Sequence, residues 1–185
     1  MFMPRFPILE TEKFELRQIT QNDSLDIFQY FSLDEVTRFY DVESFTDIQQ
    51  AEGMIQKWNE RFENNQAIRW GITLKSEGRV IGTCGFHGWM KPHYKAAIGY
   101  ELSPEYWHRG FMTEVIEKIV EYGFHHLELN RIEAFVEPKN VGSRRVLEKT
   151  GFREEGILKE HYFWRNSFVD NVVYALLKKD YKGNE

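Results

Sequence analysis

The run YWHRGFMTE, Tyr106 to Glu114, puts a histidine, an arginine and a glycine on a short turn directly ahead of a strongly amphipathic stretch. The first N–H groups of any helix lack an intrahelical partner, and the positive end of the helix dipole lies beside them. A chain that turns at Gly110 and enters a helix therefore presents a phosphate site. The same residues also read as a plain strand-to-helix connection with one glycine for geometry. Neither the pattern GxxxxGK[ST] nor the longer glycine fingerprint of dinucleotide folds is present. Other reactive side chains offer less. None of the six histidines forms an H-x-x-x-H pair, and the adjacent His125 and His126 point to different faces of a helix, so surface or core roles are expected rather than a metal. Cys84, the single cysteine, sits in an apolar strand pattern and reads as a buried structural thiol. It excludes an intramolecular disulfide and a cysteine-rich zinc site.

The elements that must position this turn follow from periodicity. KFELRQI alternates as a strand, and Thr20 with Asp23 forms a capping pair for a helix carrying Leu25, Ile27, Phe28 and Phe31. From Asp47, the residues Ile48, Ala51, Ile55, Trp58 and Phe62 fall on one helical stripe. The intervening DEVTRFYDVESFT has aromatics without clean periodicity and reads either as a mobile segment or as a short helix over a site. IRWGITL and VIGTCGF form a hairpin around Gly78, and KAAIGYEL continues the sheet, giving three consecutive antiparallel strands. A helix from about Thr113 carries Val115, Ile116, Ile119, Val120, Phe124 and Leu127, with Gly123 inside it at a cost of about 1 kcal/mol relative to alanine. RIEAFV then reads as a strand, NVGSRRVLEKTG as a short helix stopped by Gly151, and HYFWRNSFVDNVVYALL as two strands around an Asn166/Ser167 turn. The order specifies an α+β chain around one predominantly antiparallel sheet.

At 185 residues and 42% hydrophobic, the chain is expected to be one domain, residues 1–185, with a continuous core. A net charge of −5 argues against general nucleic-acid binding, which needs a broad basic surface. The opening MFMPRFPILETEKFELRQIT lacks a signal-peptide pattern, and no run approaches the roughly 20 apolar residues of a membrane span. A cytoplasmic location without membrane attachment is expected.

Two spaced segments, IGYELSPEYWHRGFMTEV and LELNRIEAFVEPKNVGSRRVLEKTGFREEG, occur in order on the expected strand, loop, helix, strand and helix. Together they resemble the Gcn5-related N-acetyltransferase (GNAT) superfamily, and within it the ribosomal-protein (RimJ/RimL-type) branch, over nearly the whole chain. The resemblance implies the GNAT fold, a central twisted, mostly antiparallel sheet flanked by helices. It implies acetyl-CoA as cofactor, no metal, and an amine acceptor: a protein or peptide N-terminal α-amine, or else a small amine such as a polyamine, amino acid or antibiotic. A non-catalytic acyl-CoA-binding module is the alternative outside enzymology. The phosphate loop falls on His108, Arg109, Gly110, Phe111, Met112 and Thr113, whose backbone N–H groups would hold the pyrophosphate. The family pattern favours glycine at His108 and a small residue at Met112, so these two bear on the affinity of the cradle. GYEL would pair with the pantetheine arm, Asn140 would bond it from the other side, and Arg144, Arg145 and Lys149 would reach the nucleotide phosphates or stand solvated.

Acetyl transfer requires a neutral amine, stabilisation of a tetrahedral oxyanion and a proton for the departing thiolate. An α-amine with a pKa of about 8 is partly neutral at pH 7, so a base need not be strong. The resemblance points to Glu101 as that base, acting through water; a solvent-facing strand glutamate is the equal alternative. Tyr162 aligns with a carboxylate position of some relatives, with Glu160 two residues earlier. Ser143 matches the serine proposed to protonate the thiolate, or else bonds the start of a helix. The N–H of Leu102 is the expected oxyanion donor. The loop Trp89, Met90, Pro92, His93 and Tyr94 either frames the acceptor channel or covers the core. Phe163 and Trp164 are candidates for a homodimer face.

Overall fold

The alternation of FELRQ becomes a strand because Phe14 and Leu16 are fully buried on one face while Glu15 and Arg17 are not. The computed structural model describes residues 5–183, so residues 1–4 of the opening segment lie outside the described residues. Strands β1 (Leu9–Glu10) and β2 (Phe14–Gln18) lead into helices α1 (Ser24–Phe31), α2 (Asp34–Thr37) and α3 (Ile48–Glu63). Then come β3 (Ile68–Leu74), β4 (Val80–Met90), β5 (Lys95–Leu102), α4 (Phe111–His125), β6 (Arg131–Val136), α5 (Val141–Lys149), β7 (Arg153–Trp164) and β8 (Ser167–Leu177). The strands form one sheet in the order β1-β2-β3-β4-β5-β6-β8-β7. Only β5 and β6 run parallel, joined by the crossover through α4 that parallel neighbours require.

Both sheet faces are covered. Neighbouring residues of β4 point oppositely: Ile81 packs with Val115, Ile116, Ile119 and Val120 of α4, while Val80 packs with Ile27 and Phe31 of α1 and Ile55 of α3. Leu25, expected on the α1 core stripe, is instead exposed, and Tyr30 is buried there. Leu127 lies beyond the end of α4, partly buried. The segment between α1 and α3 resolves into the short α2 followed by irregular chain. The β7–β8 turn falls on Arg165 and Asn166, one residue before the expected position. Both adopt left-handed φ values of 47° and 59°, matching the twist of a two-residue hairpin. Gly151, at φ 87°, ends α5, with Phe152 N–H bonding back to Leu147 O.

A polar cluster sits inside this apolar frame and crosses three strands. Arg69 on β3 forms an ion pair with Glu101 on β5, with both side chains more than nine-tenths buried. Its Nε donates to Thr83 Oγ1 on β4 at 2.7 Å, and the Thr83 hydroxyl donates to Glu101. Tyr30 of α1 donates to the same carboxylate at 3.2 Å, and the Tyr40 hydroxyl, beyond α2, accepts from Arg69 at 2.8 Å. Arg69 also donates to Gly99 O at 2.9 Å and lies 5.5 Å over the Trp58 ring. Burial and the Glu101 charge raise the Tyr30 and Tyr40 hydroxyls far above their ordinary range, so both stay protonated.

Two stability predictions follow from these contacts. Arg69→Met leaves a buried unpaired carboxylate and should cost about 3–5 kcal/mol in urea unfolding, whereas adding Glu101→Gln should recover part of that loss; strictly additive effects would contradict the pairing. At Gly123, a Cβ would stand 2.7 Å from Phe86 Cζ. Helix propensity favours Gly123→Ala by about 1 kcal/mol, but overpacking costs about 1–3 kcal/mol, so net destabilisation is expected; a raised urea midpoint would show that Phe86 yields.

Candidate active site

β6 pairs with β8 along its whole length, from Arg131↔Leu177 to Val136↔Val172, but with β5 only through Lys95↔Arg131, Ala96↔Ile132 and Ala97↔Glu133. Past Ala97↔Glu133 the second half of β6 stays with β8 and parts from β5. A wedge opens between Ile98–Leu102 and 134–136. Ser103 N–H bonds Ile81 O at 2.8 Å, so by strand alternation the N–H groups of Leu102 and Tyr100 face away from β4, toward the wedge. Leu102 O accepts from the Trp107 indole at 2.7 Å.

One cleft, of about 810 Å³, runs from the end of β5 to the start of α4 and is lined by Leu102, His108, Gly110, Phe111, Met112, Thr113, Asn140, Ser143, Arg145 and Lys149. Gly110 is the residue ahead of α4, with φ 76° and open space where a Cβ would stand. His108, where the family pattern has glycine, is itself left-handed at φ 60°, which accounts for that preference. The side chain of Met112 is buried in the core beside α4 instead of standing free over the loop. Arg109 does not line the cleft; its guanidinium lies 5.5 Å over the Tyr106 ring. Arg145 and Lys149 do line it, while Arg144 is turned away onto Tyr174 and Glu154. Asn140 Oδ1 caps α5 by accepting from Ser143 N–H at 3.1 Å. The Ser143 hydroxyl is 2.7 Å from that of Tyr100.

A second cleft, of about 870 Å³, meets the first at Tyr40, Tyr100, Asn140 and Ser143. Its walls include Trp58, Arg69, His87, Gly99, Phe135, Tyr162, Trp164 and Asn171, with Asp41, Glu43 and Glu137 set against Lys57 and Arg61. His87 is exposed on this wall, where partial desolvation in the cleft and then the Arg69 charge push its ring down, toward the neutral form. The indole N–H of Trp164 is buried without an acceptor among the described residues.

Glu101 lines the first cleft, with its carboxylate committed to Arg69, Thr83 and Tyr30. Tyr162 reaches the second cleft. Glu160 does not line it: between Leu158↔Asn171 and Tyr162↔Val169 the strand bulges, Glu160 sits at φ 51°, and its N–H bonds Asp170. The stretch from Trp89 to Tyr94 also lines neither cleft; Tyr94 O bonds the N–H groups of Asn130 and Arg131. Phe163 is exposed against Phe168, while Trp164 belongs to the cleft. Burial pushes the Cys84 thiol up to about 12, which leaves it inert at neutral pH. Arg69, Tyr40, His87 and Tyr100 escaped sequence reasoning. An arginine inside the apolar run IRWGITL was the available signal, since a buried guanidinium requires a carboxylate.

Among the described residues no helix is long and apolar enough to cross a membrane. Comparison with known proteins supplies the context for these clefts. Residues 13–153 match the family described as acetyltransferase (GNAT) domain. The chain is 46% identical over 173 residues to the uncharacterized N-acetyltransferase YoaA of Bacillus subtilis (strain 168), covering 94% of this chain and 98% of that protein. It is 27% identical over 130 residues to the [ribosomal protein uS5]-alanine N-acetyltransferase of Escherichia coli (strain K12), covering 70% and 66%. A crystal structure of a GNAT-family acetyltransferase from Bacillus anthracis superposes with a TM-score of 0.84 at 26% identity, over 94% of this chain and 99% of that one. A wedge between parallel strands that leads to a glycine turn is thus joined to a family match across most of the sequence, and the chain belongs to the GNAT family as an N-acetyltransferase with ribosomal-protein-alanine N-acetyltransferases among its relatives.

Proposed function

We propose that this N-acetyltransferase binds acetyl-CoA in the cleft of Gly110 and acetylates the N-terminal α-amine of a peptide or protein held in the second cleft. The observation that carries this reading is the meeting of the two clefts at the Tyr100–Ser143 hydroxyl pair. Acetyl-CoA supplies an activated thioester. The turn fits its pyrophosphate: the open space at Gly110 and the unpaired N–H groups at the start of α4 favour an anion. Arg145 and Lys149 add positive charge for the nucleotide phosphates. The Asn140 side chain, its oxygen engaged in capping α5, offers its NH₂ to the pantetheine arm. The N–H of Leu102 serves the oxygen on which negative charge develops. Ser143, oriented by Tyr100, gives the departing sulfur its proton. Glu101, already shared among three partners, acts in this reading by holding the wall of the site in place.

A peptide acceptor is supported by the aromatic lining of the second cleft. Of the three lining carboxylates, Asp41, Glu43 and Glu137, two are offset by Lys57 and Arg61, which leaves little net negative charge for a polyamine. The kinship with an enzyme named for ribosomal-protein alanine points the same way.

Replacement of the turn glycine tests the donor cleft. Gly110→Val, forced into a left-handed conformation that costs a β-branched residue about 1–2 kcal/mol, should weaken acetyl-CoA at least tenfold by calorimetry while the protein stays folded. Unchanged affinity in the folded variant would refute the cradle. For the acceptor, free thiol is measured with acetyl-CoA and short peptides beginning in Ser, Ala or Met, beside spermidine and an aminoglycoside. Peptides should react fastest. Faster release with either of the other amines would exclude the peptide reading.

A further inference from the structure

His87 stands where the two central strands part. On β4 it lies opposite Ala97, the last residue of β5 paired with β6. Two residues on, Gly99 has no side chain, and the space is filled from above: a Cβ there would lie 3.1 Å from the guanidinium of Arg69 and 3.4 Å from His87 Nε2. The ring thus rests over the strand at the opening of the wedge, on the wall of the second cleft. Its nitrogens have no hydrogen-bond or ion-pair partner among the described residues. Glu101, the carboxylate on the same strand, is fully engaged by Arg69, Thr83 and Tyr30.

We propose that His87 accepts the proton of the attacking amine through Nε2, in the Nδ1–H tautomer. This rests on the donor and acceptor clefts assigned above. The amine nitrogen bonds to the thioester carbon, the C–S bond breaks, and its electron pair leaves with sulfur. The amine proton passes to His87 Nε2, sulfur takes the proton of the Ser143 hydroxyl, and Ser143 is reprotonated through Tyr100 from solvent as His87 returns its proton.

The charged groups facing the ring are Arg69 on β3, Arg61 on α3 and Asp41 beyond α2. Although the side chain is exposed on the cleft wall, partial desolvation there and the two arginines favour the neutral, weakly basic ring, with Asp41 opposing. A weak base cannot deprotonate a free ammonium ion. It suits a nitrogen that has begun to bond to carbon, whose N–H is far more acidic. The amine must therefore arrive neutral, and activity should rise with pH toward the amine's own pKa.

Two readouts decide the matter. In protein carrying ¹³C-labelled histidine, the His87 ring signal, assigned by its loss in His87→Ala, should shift differently with acetyl-CoA than with CoA. Identical responses would overturn the proposal whatever the acceptor. In the thiol assay with the fastest amine of the peptide, spermidine and aminoglycoside panel, His87→Ala should lower kcat about 100-fold with the KM for acetyl-CoA within about twofold, and added imidazole should restore rate. Loss of less than about threefold, or a loss that imidazole does not repair, would overturn it. His87→Gln replaces the alanine variant in the rate comparison should that one melt early. Calorimetric acetyl-CoA affinity unchanged in His87→Ala, set beside Gly110→Val, separates failure of this role from failure of the cleft assignment.

Discussion

The buried pairing of Arg69 with Glu101 ties the wall of the second cleft to the sheet. A guanidinium and a carboxylate away from water cost several kcal/mol each unless every bond is made. Here the bonds reach β3, β4, β5, α1 and the chain beyond α2. Strands that carry an apolar core are thereby joined to a segment with little regular structure of its own. Tyr40, which lines both clefts, is held through this cluster. The charge of this pair is thus neutralised inside the wall, and the cleft surfaces carry aromatic rings, His87, the Tyr100–Ser143 hydroxyls and charged side chains of both signs.

A second constraint is topological. A single parallel pairing inside an otherwise antiparallel sheet needs a crossover, and α4 supplies it. β6 stays with β8 to Val136 on one edge but parts from β5 after Glu133 on the other. The wedge, and the backbone N–H groups of β5 that face it, follow from that parting. Glycine suits the left-handed φ at this position, and the space where a Cβ would stand is open. His108, in the same backbone region, shows that the turn tolerates a strained side chain two residues earlier.

The periodic elements were legible in the sequence because burial on one face repeats at 2.0 or 3.6 residues, as in FELRQ and in Val115, Ile116, Ile119, Val120 and Phe124. The glycine turn ahead of α4 was legible because a left-handed position before a helix has few other solutions. The same reading went astray where local pattern competes with tertiary contact. Leu25 had the right spacing but lost its place in the core to Tyr30, whose hydroxyl reaches Glu101. Glu160 had the right alternation but fell on a bulge, which breaks the period of two.

The sequence by itself therefore determined the order of elements, the mostly antiparallel sheet, and the glycine turn with the amphipathic helix that follows it. Only the tertiary structure decided what stands opposite what. Arg69 and Glu101 are 32 residues apart, Tyr100 and Ser143 are 43 apart, and His87 reaches Gly99 across a strand pair. No local period encodes such meetings, because they arise from strand register and from the point at which β5 and β6 part. Side chains of ordinary type become a site only where that register brings their polar atoms together out of water.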